Sequence, residues 1–168
     1  MIRMLLAGFV VVSAMAGQSR ADEKYSPEGS NLAITFPAAP KSAKQDVDAP
    51  FGKIVMNYAT YDVNKSLAMI VMYNDYPDAV AQGNPQDMLG RVKDGTKGTS
   101  GKELADKEIT LVKVPGRDFL LDKEGQFYRA RIYLDGNRLY QVIVSGAKKD
   151  EVTGATADKF LDSFEISK

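Results

Sequence analysis

Arg129, Arg131, Tyr133, Arg138 and Tyr140 crowd one short stretch of the chain. Guanidinium groups on a shared surface can hold a carboxylate or phosphate through paired hydrogen bonds, and tyrosine hydroxyls can complete such a site. These five residues are the candidate ligand-binding set. The competing reading is that the arginine stems lie along apolar sheet or helix surface while their heads stay wet. On that reading Asp135 is placed to neutralise Arg138. The two alternatives differ in exposure, and in whether the chain's own carboxylates engage the guanidinia.

Other chemistry is limited by what is missing. With 0 His and 0 Cys there is no Ser-His-Asp triad, no histidine-ligated zinc or copper, no thiol nucleophile and no disulfide. With 0 Trp the favoured stacking platform for sugars is gone too. Ser145 followed by Lys148 and Lys149 offers a Ser-Lys arrangement, although Ser-Gly-Ala-Lys is ordinary turn composition. The acid pairs Asp46/Asp48 and Asp75/Asp78, expected on loops, offer carboxylates for glycoside chemistry or calcium. Neither segment supplies the run of roughly six to eight oxygens that calcium takes. "GTKGTSGKE", residues 95–103, departs from a phosphate-binding loop: five residues separate Gly95 from Gly101, and Lys102 precedes Glu103 instead of Ser or Thr. No catalytic residue, metal ligand or cofactor is therefore assigned.

The arginine stretch reads as a hairpin, "RIYLDGNRLYQVIV", turning at Gly136-Asn137. That turn pairs Asp135 with Arg138, Leu134 with Leu139 and Tyr133 with Tyr140. Alternation then divides the side chains: Tyr128, Ala130, Ile132, Leu134, Leu139 and Ile143 form a core side. Phe127, the arginines, Tyr133, Tyr140, Val142 and Val144 form a mixed side. Residues 117–122 precede the hairpin and complete a three-strand meander. Further strands are expected at 32–36, at 53–62 and over the apolar run 67–73, which reads as a central strand covered on both faces. Residues 42–48 can pair at an edge. Residues 103–112 read as a strand ended by Pro115-Gly116.

Two helices complete the set. Asn84 caps one, Pro85 fits its first turn, Met88, Leu89 and Val92 make its buried stripe, and Gly95 can end it. Ala157, Phe160, Leu161 and Phe164 recur at i, i+3, i+4 and i+7, the signature of an amphipathic terminal helix. The result is an α+β chain: an antiparallel β-sheet flanked by helices, an α/β/α sandwich in one domain.

"YSPEGSNLAITFPAAP", "VPGRDF" at 114–119, the hairpin and "FLDSFEI" at 160–166 together resemble the small exported domains of the PsbP-like superfamily. The resemblance spans most of the chain after its first residues and implies the same sandwich. The photosynthetic members are non-enzymatic assembly or cofactor-retention subunits. Metal binding assisted by histidine, proposed for some of them, has no counterpart in a chain with 0 His.

The first residues carry an address. Arg3 precedes an apolar run, and small residues frame a cleavage site after Ala21, with Ala16 as an earlier alternative. A signal peptide is expected at 1–21 and a single PsbP-like α/β domain at 22–168, exported to a periplasm or secreted. Removing 21 of 168 residues leaves 147, and Arg3 and Arg20 go with them, so 20 basic residues face 22 acidic ones for a net charge of −2. That balance argues against nucleic acid, and no membrane span is expected in the mature chain. The functional expectation is an exported, non-enzymatic binding or assembly domain whose partner is a protein or a small anionic ligand. The alternative is an exported hydrolase using carboxylates or the Ser-Lys pair.

Overall fold

Tight turns and period-two alternation lay out the long strands, and one capped helix separates the two halves of the chain. The computed structural model describes residues 21–49 and 51–167, so the expected leader, apart from its last residue, lies outside the described residues. In chain order the elements are β1 (Glu23–Tyr25), β2 (Leu32–Phe36), β3 (Lys41–Ala49), β4 (Gly52–Asp62), β5 (Ala68–Asp75), α1 (Asp78–Ala81) and α2 (Pro85–Lys97). There follow β6 (Gly101–Leu111), β7 (Val114–Lys123), β8 (Gln126–Asp135), β9 (Arg138–Gly146), α3 (Lys149–Thr153), α4 (Ala155–Asp162) and β10 (Glu165–Ile166). Seven strands form an antiparallel sheet in the order β3-β4-β5-β9-β8-β7-β6, and β1-β2-β10 form a small sheet of three.

The β8/β9 hairpin has the register that its turn residues dictate, Tyr133↔Tyr140, Leu134↔Leu139 and Asp135↔Arg138. Gly136 supplies the positive φ, 61°, that such a turn requires. β9 then pairs with β5, which brings Asp75 opposite Arg138 and Tyr73 opposite Tyr140. β5 is thus an interior strand, with β9 at the middle of the sheet.

Across β7, β8 and β9 both faces of the large sheet are buried, but by different covers. On one face Met88 and Leu89 of α2 meet Phe119, Leu121, Ala130, Ile132, Leu134 and Leu139. On the other, Phe160 and Leu161 of α4, Phe164 and the small sheet cover Tyr133, Tyr140, Val142 and Val144. Phe36 of β2 packs on Phe160 with ring centroids 5.0 Å apart. The architecture is α+β with helices on both faces, and the three-stranded sheet shares the α4 layer. The mixed side of the hairpin is therefore as deeply buried as the core side: Tyr140 is 1% exposed, and Val142 and Val144 are 0% exposed. The terminal helix and β2 return to cover it, which alternation within the hairpin cannot reveal.

Helix α2 begins as its sequence requires, with the Asn84 side chain accepting from the Gln86 N–H. It runs past Gly95 and stops at Gly98, whose φ of 62° closes the helix while its N–H donates to Asp94. Lys93 is buried on this helix and donates to Glu103 and Asp106, each at 2.6 Å. Arg117 reaches the same Asp106 through two nitrogens. Burial acts against the Asp106 charge, yet the bonds from Lys93 and Arg117 outweigh it and hold the carboxyl below the usual carboxylate range. These pairs pin α2 to β6 and β7.

Pro115 lies inside β7 instead of ending β6. The turn falls one step earlier, at Val112 and Lys113, both with positive φ. β8 pairing begins at Gly116, so the missing Pro115 N–H removes no bond from that ladder. The short elements β1, β10, α1 and α3 span too few residues for a periodic pattern to mark them.

Candidate functional site

Each of the five hairpin residues has a partner inside the chain. Arg129 donates to Asp158 at 2.6 Å and lies 3.5 Å from Asp118. Arg131 donates to Asp162 at 2.6 Å and to Asp118 at 3.1 Å. Asp158 and Asp162 stand one turn apart on α4, so the i, i+2 arginines of β8 meet an i, i+4 acid pair on the helix above. Asp118 is opposite Arg131 across β7 and β8, and its side chain is only 8% exposed. These ion pairs tie α4 to the sheet.

Arg138 takes a different carboxylate from the one its turn offers. Its guanidinium grips Asp75 through two nitrogens and donates a third bond to the Gly29 carbonyl at 2.6 Å. It also lies over the Tyr73 ring, 5.6 Å from the centroid. The bond from Arg138 holds the Asp75 carboxyl below the usual carboxylate range. Tyr133 stacks on Phe164 with centroids 5.4 Å apart, and the Tyr140 hydroxyl donates to the Ser30 carbonyl at 2.9 Å. Burial raises both phenols above their ordinary value. The structure thus brings Arg129 and Arg131 together around Asp118 and sends Arg138 to a separate pair near the small sheet.

The remaining chemistry-bearing residues are dispersed. The Ser145 hydroxyl accepts from Gln126 at 2.8 Å, and among the described residues no hydrogen bond joins it to Lys148 or Lys149. Asp46 and Asp48 sit on the edge strand β3, not on a loop, because the polar run 41–49 pairs along its full length with β4. Asp78 accepts from the Asn137 amide at 3.2 Å, beside the Tyr76 N–H bond to the Asn137 carbonyl. Among the described residues no helix is long and apolar enough to cross a membrane.

One surface is unsatisfied where the arginine face is not. A cleft of about 320 Å³ runs between α2 and the β3–β4 turn, lined by Phe51, Tyr76, Val80, Met88, Arg91 and Val92. Phe51 is 40% exposed, though its ring meets Tyr76 edge-on at 5.6 Å. Arg91 is exposed and makes no ion pair among the described residues; its bond is to the Asp87 carbonyl of its own helix at 3.4 Å. On the same side of the sheet Asn74 is 1% exposed. Sequence reasoning passed over this cleft. Its one visible signal was Phe51, a large apolar residue inside a turn, where a polar residue is the rule.

Comparison with known proteins bears on the fold. No family model matches the chain. No curated protein matches it either. Among solved structures it is similar to the cyanobacterial PsbP (CyanoP) of Synechocystis sp. PCC 6803, with a TM-score of 0.59 over 90% of this chain and 95% of that one, at 13% identity. A Bacteroides thetaiotaomicron protein aligns at a TM-score of 0.45 and 11% identity, covering 86% of this chain and 48% of its own. The chain has the PsbP-like fold.

Proposed function

We propose that the chain is a non-enzymatic binding or assembly domain, acting after export, that docks a protein partner in the cleft between α2 and Phe51. The observation that carries this reading is the contrast between the arginine cluster and the cleft. Arg129, Arg131 and Arg138 are occupied by Asp158, Asp162, Asp118 and Asp75, so an incoming anion must compete with carboxylates already in place. The cleft offers exposed apolar surface with an exposed cation on its rim. Exposed apolar surface with a polar rim is what a partner's side chain covers. The chemistry that fits is an apolar side chain entering beside Phe51, with a carboxylate near it to meet Arg91.

No arrangement in the described residues favours hydrolysis. Ser145 lacks a lysine partner, and Asp75 is an ionised member of a guanidinium pair instead of a free acid. The export step rests on the leader grammar of residues 1–21, and the assembly role agrees with what the PsbP-like resemblance implies.

The test is co-purification from the native envelope with the parent chain, Phe51→Asp and Arg91→Glu. Both positions are exposed, so all three proteins should melt alike, within about 0.5 kcal/mol. A partner held by the parent and lost by both variants supports the cleft. The same partner retained equally by both variants removes the cleft from the function.

A further inference from the structure

The large sheet has two open edges, β3 and β6, and they are built differently. β6 carries a register shift between Glu103 and Ala105. Three of its charges are also engaged: Glu103 and Asp106 hold Lys93, and Lys107 lies 3.9 Å from Asp118, while Lys102 and Glu108 form no ion pair among the described residues. A bulge is one way an edge is closed to further pairing. β3 instead pairs with β4 without interruption across all 9 of its residues. Its Lys41, Lys44, Asp46 and Asp48 are exposed, and none of them forms an ion pair among the described residues.

The order of those charges selects an occupant. Both lysines precede both aspartates, so a second copy running antiparallel sets plus against minus. Directly opposed residues in an antiparallel pair point to the same face. A two-fold axis normal to the sheet therefore passes between a residue and its own copy, and the central choices are Lys44, Gln45 and Asp46. An axis at Lys44 sets lysine on lysine, and one at Asp46 sets aspartate on aspartate at the centre, with Lys44 against Asp48 outside it. At Gln45, Lys44 meets Asp46 on both sides of the axis and Ser42 meets Asp48. On the opposite face Ala43 meets Val47, each already in register with an apolar or aromatic residue of β4, Tyr58 and Ile54. Cross-strand pairs of these kinds are favourable, and the like-charge registers are not.

We propose that β3 pairs with β3 of a second copy of this chain about a two-fold at Gln45, so that two seven-stranded sheets run on as one. The contact is a single strand pair. It falls in the weak class, below about 1,200 Å² of buried surface, and its charge pairs lose strength as salt is added. This surface is distinct from the α2 cleft and stands or falls without it.

Sedimentation velocity of the protein over a concentration series at low salt tests it. The expected result is a reversible monomer–dimer equilibrium. Lys44→Asp and Asp46→Lys should each weaken it by about tenfold or more, because each creates two like-charge pairs at the axis. An equal mixture of the two variants should recover a heterodimer, since each variant's like-charged strand then faces the opposite sign. Thermal melts of both variants should overlay the parent, both side chains being exposed. A chain that stays monomeric at every concentration overturns the proposal. So does a dimer indifferent to both reversals, or a mixture that fails to re-associate. A monomer that holds another protein's extended segment on β3 likewise overturns self-pairing and assigns the edge to that partner.

Discussion

The two halves of the seven-stranded sheet have been finished differently. Across β7, β8 and β9 the sheet is covered on both faces, and the charges in and beside that part close on one another: Lys93 with Asp106, Arg131 with Asp118, Arg129 with Asp158. Across β3, β4 and β5 the face on the α2 side is half-open. There Met56, Tyr58, Ile70 and Met72 are half-buried, and β3 is exposed over most of its length. The difference is between charges that the fold has paired and surface that it has left uncovered. In the covered half the arginines serve as ties between a helix and a sheet. In the open half the cleft beside Phe51 stays uncovered, lined by unremarkable residues.

The comparison breaks most visibly if the covered half proves soft. Phe160 is 2% exposed and sits between Phe36 and the α4 face of the sheet. Phe160→Ala should cost about 3–5 kcal/mol, measured by urea denaturation of the parent and the variant. A cost below about 1 kcal/mol, the scale of an ordinary point substitution, would mean that α4 is a loose cover and that the two halves are alike.

How much of this was legible in the sequence depends on the distance over which each feature is decided. The hairpin register, the Asn84 cap and the apolar stripe of α4 are local and could be read directly, except that the helix ends at Asp162 and Phe164 packs from beyond it. The burial of Tyr140 was not legible, because its cover comes from Ser30 and Phe164, both remote from the hairpin in sequence. The partner of Arg138 was misplaced for a similar reason. Asp135 is the adjacent carboxylate, but β5 brings Asp75 alongside and the guanidinium turns to it. Of the five hairpin residues, Arg129 and Arg131 share Asp118, while Arg138 joins Asp75. The acids that occupy them lie on β5, β7 and α4, where only tertiary structure unites them. Asp158 and Asp162 at i, i+4 beside the α4 stripe were the available hint.

The next effect in size tests the ties themselves. Arg129→Gln with Arg131→Gln leaves Asp118, 8% exposed, with Lys107 at 3.9 Å as its remaining cation. The double change should cost about 1.5–3 kcal/mol, the scale of hydrogen bonds to charged groups. Equilibrium unfolding of the double variant measures it. A melt identical to the parent would show that the guanidinia do not hold α4 and would return that face to the search for an anion.

The smallest effect concerns whether the cover on the α2 side melts with the sheet beneath it. Gly95 lies inside α2, and a Cβ built there meets no atom within 4 Å, so Gly95→Ala adds a methyl group in open space. Alanine loses less backbone freedom than glycine on entering a helix, and the exchange should stabilise by about 0.5–1 kcal/mol. The Lys93 bridges to Glu103 and Asp106 tie this helix to β6, which favours joint unfolding of helix and sheet. If they unfold together, the midpoint of the whole transition rises with unchanged slope. If α2 instead opens on its own, hydrogen exchange will slow at its amides alone while the global midpoint stays put. That second outcome would make the cleft beside Phe51 adjustable, its α2 wall free to move as a partner enters. The expected first outcome makes it a preformed groove, rigid on the helix side.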